Sequence, residues 1–247
     1  MPNRALLRSD NAGLIQNQSR SYVLNKSKSN LPDASLALID INGALGKFLL
    51  HITDFSAQTP TDQLVPVNFQ GWNGEPDARF KALATWVESG GTALFLNLPS
   101  TPLLKIRPGK SRMSRHIEKG TILPFSLSLY SGKGLWPLQP RSKRPSILRG
   151  LPSNCLMRQE SRNVSSQWSI VKTRSDWARG NITYDWHAGL KHKQNFIGVT
   201  EAFYGANLTQ ISHGNGKYVL CTHRIVENLG IDTVADRLLS NLLYSLS

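Results

Sequence analysis

Cys221 and His223 are separated by one residue, and alternate side chains of a strand share a face, so the pair could serve as thiol nucleophile and base of a small cysteine-dependent hydrolase. The competing reading is a cysteine in a core strand beside a loop histidine, because a free cysteine usually packs as a small, inert hydrophobe. Glycoside hydrolysis would need two carboxylates about 5–10 Å apart across a sugar. Asp40, Glu75, Glu88, Glu160 and Glu227 are available, but no spacing in the chain pairs two of them. His187 and His192 lie five apart with Lys191 and Lys193 beside the second, which is neither the helical spacing nor the electrostatic setting of a zinc pair. These residues point to no catalytic group, no metal and no cofactor.

A ligand could still be held. Trp72 offers a ring for stacking on a sugar, and Asn97 a hydrogen-bonding amide. Asp40 precedes an Asn42-Gly43 turn, and Arg224 with Glu227 could approach from a late loop. Open α/β sheets bind ligands at the C-terminal ends of their strands, where all five would gather. Each has a structural alternative: Trp72 covering a strand end, Asn97 capping a turn, and Arg224 with Glu227 forming an internal ion pair.

The elements that would position them are legible in the hydrophobic pattern. Ser35 to Ile41 is an apolar run, Asn42-Gly43 turns, and Leu45, Phe48, Leu49 and Ile52 then fall on one face, which reads as strand, turn, helix. Val65 to Gln70 is β-rich. Asp77 to Ser89 places Phe80, Leu83, Ala84 and Val87 on one helical face, Gly90-Gly91 stops that helix, and Thr92 to Leu98 is a buried type of strand. Gly214-Asn215-Gly216 lies between Leu208–Ile211 and Tyr218–Leu220, so a tight hairpin is expected, with positive φ available to Asn and Gly. From a cap at Asp232 or Thr233, Val234, Ala235, Leu238, Leu239, Leu242, Leu243 and Leu246 recur at helical steps. Strands alternating with helices imply an α/β fold, a mainly parallel, doubly wound sheet with helices on both faces.

At 247 residues the chain suits one sizeable α/β domain over 33–247, preceded by a polar, weakly basic tail over 1–32 that is expected to be disordered. The formal net charge is +13, and most of the excess is local. Residues 101–150 hold eleven Lys or Arg against Glu118 alone, with six prolines, and read as a long irregular basic insertion with a short strand near Ile122 to Tyr130. Such a segment could bind a polyanion. Nucleic acid is not the expected partner, because Phe125, Tyr130 and Trp136 do not interleave with the cations from Lys105 to Lys119. No apolar run approaches the ~18–20 residues of a membrane span, and the N-terminus lacks the apolar core of a signal peptide, so the expectation is a soluble, cytoplasmic chain without membrane contact. Cys155 and Cys221 give no disulfide framework.

Three phrases carry a resemblance. His223-Arg224-Ile225-Val226-Glu227-Asn228-Leu229-Gly230, with Val234-Ala235-Asp236-Arg237-Leu238-Leu239 and Asn241-Leu242-Leu243, resembles the end of the C-terminal domain of β-galactosidase-like proteins of glycoside hydrolase family 2. Gly150-Leu151-Pro152, Met157 to Glu160, Asn163-Val164 and Gln167-Trp168 resemble that domain's middle, and Trp86-Val87-Glu88-Ser89-Gly90-Gly91 an earlier part. The resemblance spans about Asp33 to Ser247.

It implies a class I glutamine amidotransferase-like fold, a flavodoxin-like three-layer sandwich. In that fold the nucleophilic cysteine stands on a sharp turn after a strand, and the matching turn here is Asn97-Leu98-Pro99, with neither cysteine nor flanking glycine. The family's downstream His and Glu are two apart, whereas His223 and Glu227 are four apart. The carboxylates of the glycosidase reaction belong to a separate barrel domain. The resemblance therefore implies a non-catalytic accessory domain that packs against a catalytic glycosidase domain or mediates homo-oligomerisation, with carbohydrate as a further partner. The alternatives are a stand-alone carbohydrate-binding or regulatory module, the cysteine hydrolase, and a polyanion-binding protein.

Overall fold

The computed structural model describes residues 36–49, 51–72, 77–98, 117, 119–120, 122–129, 147, 151, 170 and 208–247 with their side chains. It describes the backbone alone of 5–7, 15–17, 114–116, 130–131, 168–169, 171, 182–196 and 199–207. Most of the 1–32 tail and of the basic insertion, Cys155, Glu75, Glu160 and most of the Gly150–Trp168 phrases lie outside the described residues.

Among the described residues twelve strands run in chain order as β1 (Ala5–Leu7), β2 (Ile15–Asn17), β3 (Leu36–Asp40), β4 (Ile52–Asp54), β5 (Leu64–Asn68), β6 (Thr92–Leu96), β7 (Ser114–Ile117), β8 (Leu127–Ser131), β9 (Trp168–Val171), β10 (Ile182–Phe196), β11 (Val199–His213) and β12 (Gly216–Cys221). Two α-helices are described, α1 (Ala78–Glu88) and α2 (Thr233–Leu246). β1 and β2 form a two-stranded antiparallel sheet. The other strands form one ten-stranded mixed sheet in the order β4-β3-β5-β6-β12-β11-β9-β8-β7, with β10 also on β11. The ladders from β4 to β12 are parallel, and those from β12 to β7 antiparallel. The architecture is α/β, and the parallelism is confined to half of the sheet. The expected strand within the insertion is β8, and a second one, β7, closes the sheet beside it.

β3, β5, β6 and β12 are buried on both faces, whereas β4 at the edge is exposed, and period-2 alternation sorts the buried side chains. Ala37, Ile39, Val65, Val67, Ala93, Phe95, Tyr218 and Leu220 face α1, whose Phe80, Leu83, Trp86 and Val87 are buried against them. Leu36, Leu38, Leu64, Leu94, Leu96, Val219 and Cys221 face the other way, towards Val234, Ala235, Leu238, Leu239, Leu242 and Leu243 of α2. Trp86, rather than the expected Ala84, completes the apolar face of α1, and its indole N–H donates to the Thr59 carbonyl at 2.7 Å. Each helix starts where an aspartate accepts a bond from a free amide: Asp77 from Arg79 N, and Asp232 from Val234 N, both at 2.9 Å. Of the two expected caps for α2, the structure uses Asp232.

The expected helix after Gly43 does not form. Residues 44–48 make only tight turns, with Phe48 N donating to Leu45 O at 3.0 Å. The chain must reach β4 at Ile52 to run parallel beside β3, with Leu36 opposite Ile52, so there is no length for a helix. Leu45 and Leu49 are buried as the pattern required, whereas Phe48 and Ile52 are partly exposed.

Glycines set how closely the closing hairpin approaches α1. Gly214 (φ 58) is the first central residue of a two-residue turn joining His213 to Gly216, whereas Asn215 keeps a negative φ, the pattern of a II′ hairpin. The hairpin then lies against the end of α1: Asn215 N donates to Glu88 O and Lys217 N to Gly91 O, both at 3.0 Å. A Cβ on Gly216 would be driven into the carbonyl oxygens of Val87 and Gly91, and one on Gly91 into the Trp86 ring. Gly216→Ala is therefore expected to cost about 3 kcal/mol, since the obstacle is backbone that cannot rotate away. Gly43→Ala, at an open position with φ 69, should cost about 1 kcal/mol. Urea denaturation of the two variants checks the contrast.

Candidate functional site

The C-terminal ends of the parallel strands carry the five candidate residues, and most of their polar atoms are engaged in building loops. Asp40 ends β3. Its Oδ2 accepts from Gly46 N at 2.8 Å, fixing the turn that replaced the expected helix, and its Oδ1 accepts from Asn68 Nδ2 at 2.7 Å. Asn68, at the end of β5, is fully buried. Its amide also donates to Asn42 Oδ1 at 3.1 Å, and its oxygen accepts from Gln70 N at 3.0 Å. Asn42 Oδ1 accepts in addition from Ala44 N. Asp40, Asn42 and Asn68 thus make one polar network across the ends of adjacent strands.

Trp72 follows on the loop between β5 and α1. It is half-buried, with its ring in edge contact with Phe69 and Phe80 at centroid distances of 5.9 and 5.7 Å. Much of it is therefore the strand-end cover that sequence allowed. Asn97 follows β6 with φ 52, a left-handed conformation that costs most side chains about 1–2 kcal/mol but that asparagine tolerates. Its Oδ1 accepts from Val226 N at 3.4 Å, tying the late loop to the end of β6.

In that loop Arg224 and Glu227 form a two-bond ion pair, Nε to Oε1 at 2.5 Å and Nη2 to Oε2 at 2.7 Å. The side chains are 42% and 30% exposed, so the pair contributes at most about 1 kcal/mol. The side-chain hydrogen bonds that it donates to Glu227 hold the Arg224 guanidinium above its ordinary range. Asn228 Nδ2 bonds the Arg224 carbonyl at 2.6 Å, and Gly230 N donates to Asp236 Oδ1 at 2.8 Å. The stretch from His223 to Gly230 is held by its own Arg224, Glu227 and Asn228 and tied to Asn97 and Asp236. The structure thus joins Asn97 to the Arg224–Glu227 loop, and Asp40 to the Asn42 turn. Trp72 belongs with the latter group, through Gly71.

Sequence reasoning missed Asn68, which connects β3 to β5. The available signal was an asparagine ending a strand that is otherwise apolar throughout. It also missed Gln70, whose backbone N–H donates to Asn68 Oδ1.

Cys221 is fully buried on the α2 face of β12. Burial pushes its thiol up to about 12, an effect only partly offset by the backbone N–H of His223. The sulfur therefore stays protonated across the neutral range. Among the described residues there is no group of three His, Cys, Asp or Glu suited to a metal ion. No described helix is long and apolar enough to cross a membrane. The side chains of His187 and His192 lie outside the described residues.

Comparisons with protein-family models, with curated proteins and with solved structures give no match for this chain.

Two measurements follow from this geometry. In a Cys155→Ser background, the native protein is expected to resist iodoacetamide at pH 8 and to react fully once unfolded. An unfolded thiol ionises at its ordinary value of 9.0, whereas the folded one holds its proton to about 12, so Cys221 contributes stability that is complete below pH 9 and falls as the pH rises from there through 12. Asn97→Ala should cost about 1–2 kcal/mol in chemical denaturation, and Asn97→Gly less, because glycine adopts the left-handed conformation freely.

Proposed function

We propose that this chain is a non-catalytic accessory module of a β-galactosidase-like glycoside hydrolase, with a glutamine amidotransferase-like, flavodoxin-like α/β fold, that packs against a catalytic domain or mediates oligomerisation. The observation that carries this reading is Asn97. A left-handed residue stands on the turn after β6, the place where the amidotransferase fold puts its nucleophile, and its side chain is spent on holding the Val226 amide. The side chain at this turn does structural work, which supports a non-catalytic reading.

The other chemically able groups support the same reading. Asp40 is bonded through both oxygens, and Glu227 is bonded to Arg224 through both of its own. A carboxylate bound in this way is poorly placed to exchange protons with a substrate. The protonated, buried thiol of Cys221 does not favour the cysteine-hydrolase alternative. The strand order also agrees with a flavodoxin-like arrangement: with β3 taken as the first strand of the parallel half, the order β4-β3-β5-β6-β12 reads 2-1-3-4-5.

The test is the size of the native polypeptide in its source cells, detected with an antibody to α2. The reading expects a mass of about 100 kDa, several domains of the usual size, in a species with galactosidase activity. A native species at the 27.4 kDa of this chain would contradict it.

A further inference from the structure

Asparagine followed by glycine is the dipeptide at which a protein chain most readily attacks itself. The glycine nitrogen, unhindered by a side chain on its own residue, adds to the asparagine side-chain carbonyl carbon and closes a succinimide ring. The sequence holds three such pairs, Asn42-Gly43, Asn73-Gly74 and Asn215-Gly216. The second lies outside the described residues, and the fold treats the other two in opposite ways.

At Asn215 the fold opposes ring closure. Gly216 is buried as the first residue of β12, opposite His213 in the ladder. A Cβ on Gly216 would fall 2.1 Å from the Val87 carbonyl oxygen, and Asn215 N is bonded to Glu88 O. Gly216 N cannot turn towards the Asn215 side chain without lifting the hairpin from α1. The surroundings of Asn42 differ on each count. Asn42 and Gly43 are both exposed, and a Cβ built on Gly43 meets no atom within 4 Å. The Asn42 side-chain oxygen accepts two bonds, from Ala44 N and from Asn68 Nδ2, both at 3.1 Å. Both donors draw electron density from Cγ and lie at the oxygen that becomes negative when nitrogen adds, which is the arrangement of an oxyanion hole. Asn68 is itself fully buried and fixed by the Asp40 carboxylate at 2.7 Å, so this donor is in place before any reaction. Neither bond uses the Asn42 NH2, the group that must leave.

We propose that Asn42-Gly43 is a self-modification site, at which the fold promotes deamidation of Asn42 through the Ala44 and Asn68 donors. Gly43 N loses its proton to solvent base and bonds to Asn42 Cγ. The Cγ–Nδ2 bond then breaks, and ammonia leaves with a proton taken from water. Water opens the succinimide at either carbonyl and gives aspartate or isoaspartate, with no oxidation or reduction. Either product adds a carboxylate to a network that already holds Asp40, since both positions bond the Asn68 amide. Isoaspartate also lengthens the backbone of the turn that leads to β4. The site rests on these hydrogen bonds and is independent of the accessory-module reading.

The test holds the full chain at pH 8, once native and once in concentrated urea, and follows aspartate and isoaspartate at positions 42 and 215 by peptide mapping. The unfolded chain supplies the rate of an Asn-Gly pair without a fold around it. Asn42 is expected to deamidate about tenfold faster in the native chain than in urea, and Asn215 more slowly in the native chain than in urea. Asn68→Ala should bring the native rate at Asn42 back to about the urea rate, while Asn215 stays protected and so reports that the hairpin is closed. A rate at Asn42 that is equal or slower in the native chain would overturn the proposal. So would Asn68→Ala that leaves the rate unchanged or raises it with Asn215 still protected, because Asn68 would then only restrain the side chain. Should Asn68→Ala lose the protection at Asn215, the native and urea rates of the unsubstituted chain decide the question alone.

Discussion

The contact on which the rest of the fold depends is made between backbones. The end of α1 and the β11–β12 hairpin approach so closely that neither Gly214 nor Gly216 has room for a side chain, and the amides of Asn215 and Lys217 are satisfied by carbonyls at and just beyond the end of the helix. This approach seats β12 against β6, with Lys217 opposite Thr92 and Leu220 opposite Phe95. It also joins the parallel half of the sheet to the antiparallel half, because β12 pairs with β11 along its other edge. The residues from 97 to 215 leave the parallel sheet at β6 and return at this place.

With β12 fixed, the two faces of the sheet sort themselves by alternation, and α2 folds back over the face that α1 does not cover. Cys221 shows how far this packing governs chemistry. Its position on β12 turns it inward, and burial converts a potential nucleophile into a core residue. At the polar ends of the strands the same economy holds. Asp40, Asn68, Asn97 and the Arg224–Glu227 pair shape turns that connect strands, and Trp72 packs on Phe69 and Phe80.

Much of the parallel half could be read directly. The apolar spacing of α1, the double glycine that ends it, the Asp232 cap and the Gly214 turn are all local signals, and local signals survive tertiary context. The failures have a common cause in distance along the chain. The segment from Leu45 to Ile52 has a helical pattern, yet it turns because β4 must lie beside β3 and because a carboxylate five residues before Leu45 captures the Gly46 amide. Asn68 gave no sign of its role, since its partners Asp40 and Asn42 lie 28 and 26 residues away. In the antiparallel half, β8 and the β11–β12 hairpin were legible, whereas β7 was not: the basic, proline-rich composition around it hides a strand whose pairing is decided by β8. Of the candidate site, position at the strand ends was legible. The division of labour among those residues was not, because it depends on which neighbour each side chain meets.

The most direct test of this account is amide hydrogen exchange resolved to single residues. If the glycine-mediated contact holds the sheet together, the amides of Tyr218, Val219 and Leu220 should exchange only through global unfolding, at the same free energy as Ala93 to Phe95, with Asn215 and Lys217 protected beside them. Exchange of the β12 amides through a separate, lower-energy opening, while β6 stays protected, would show that the hairpin is an appendage, and the account would fail.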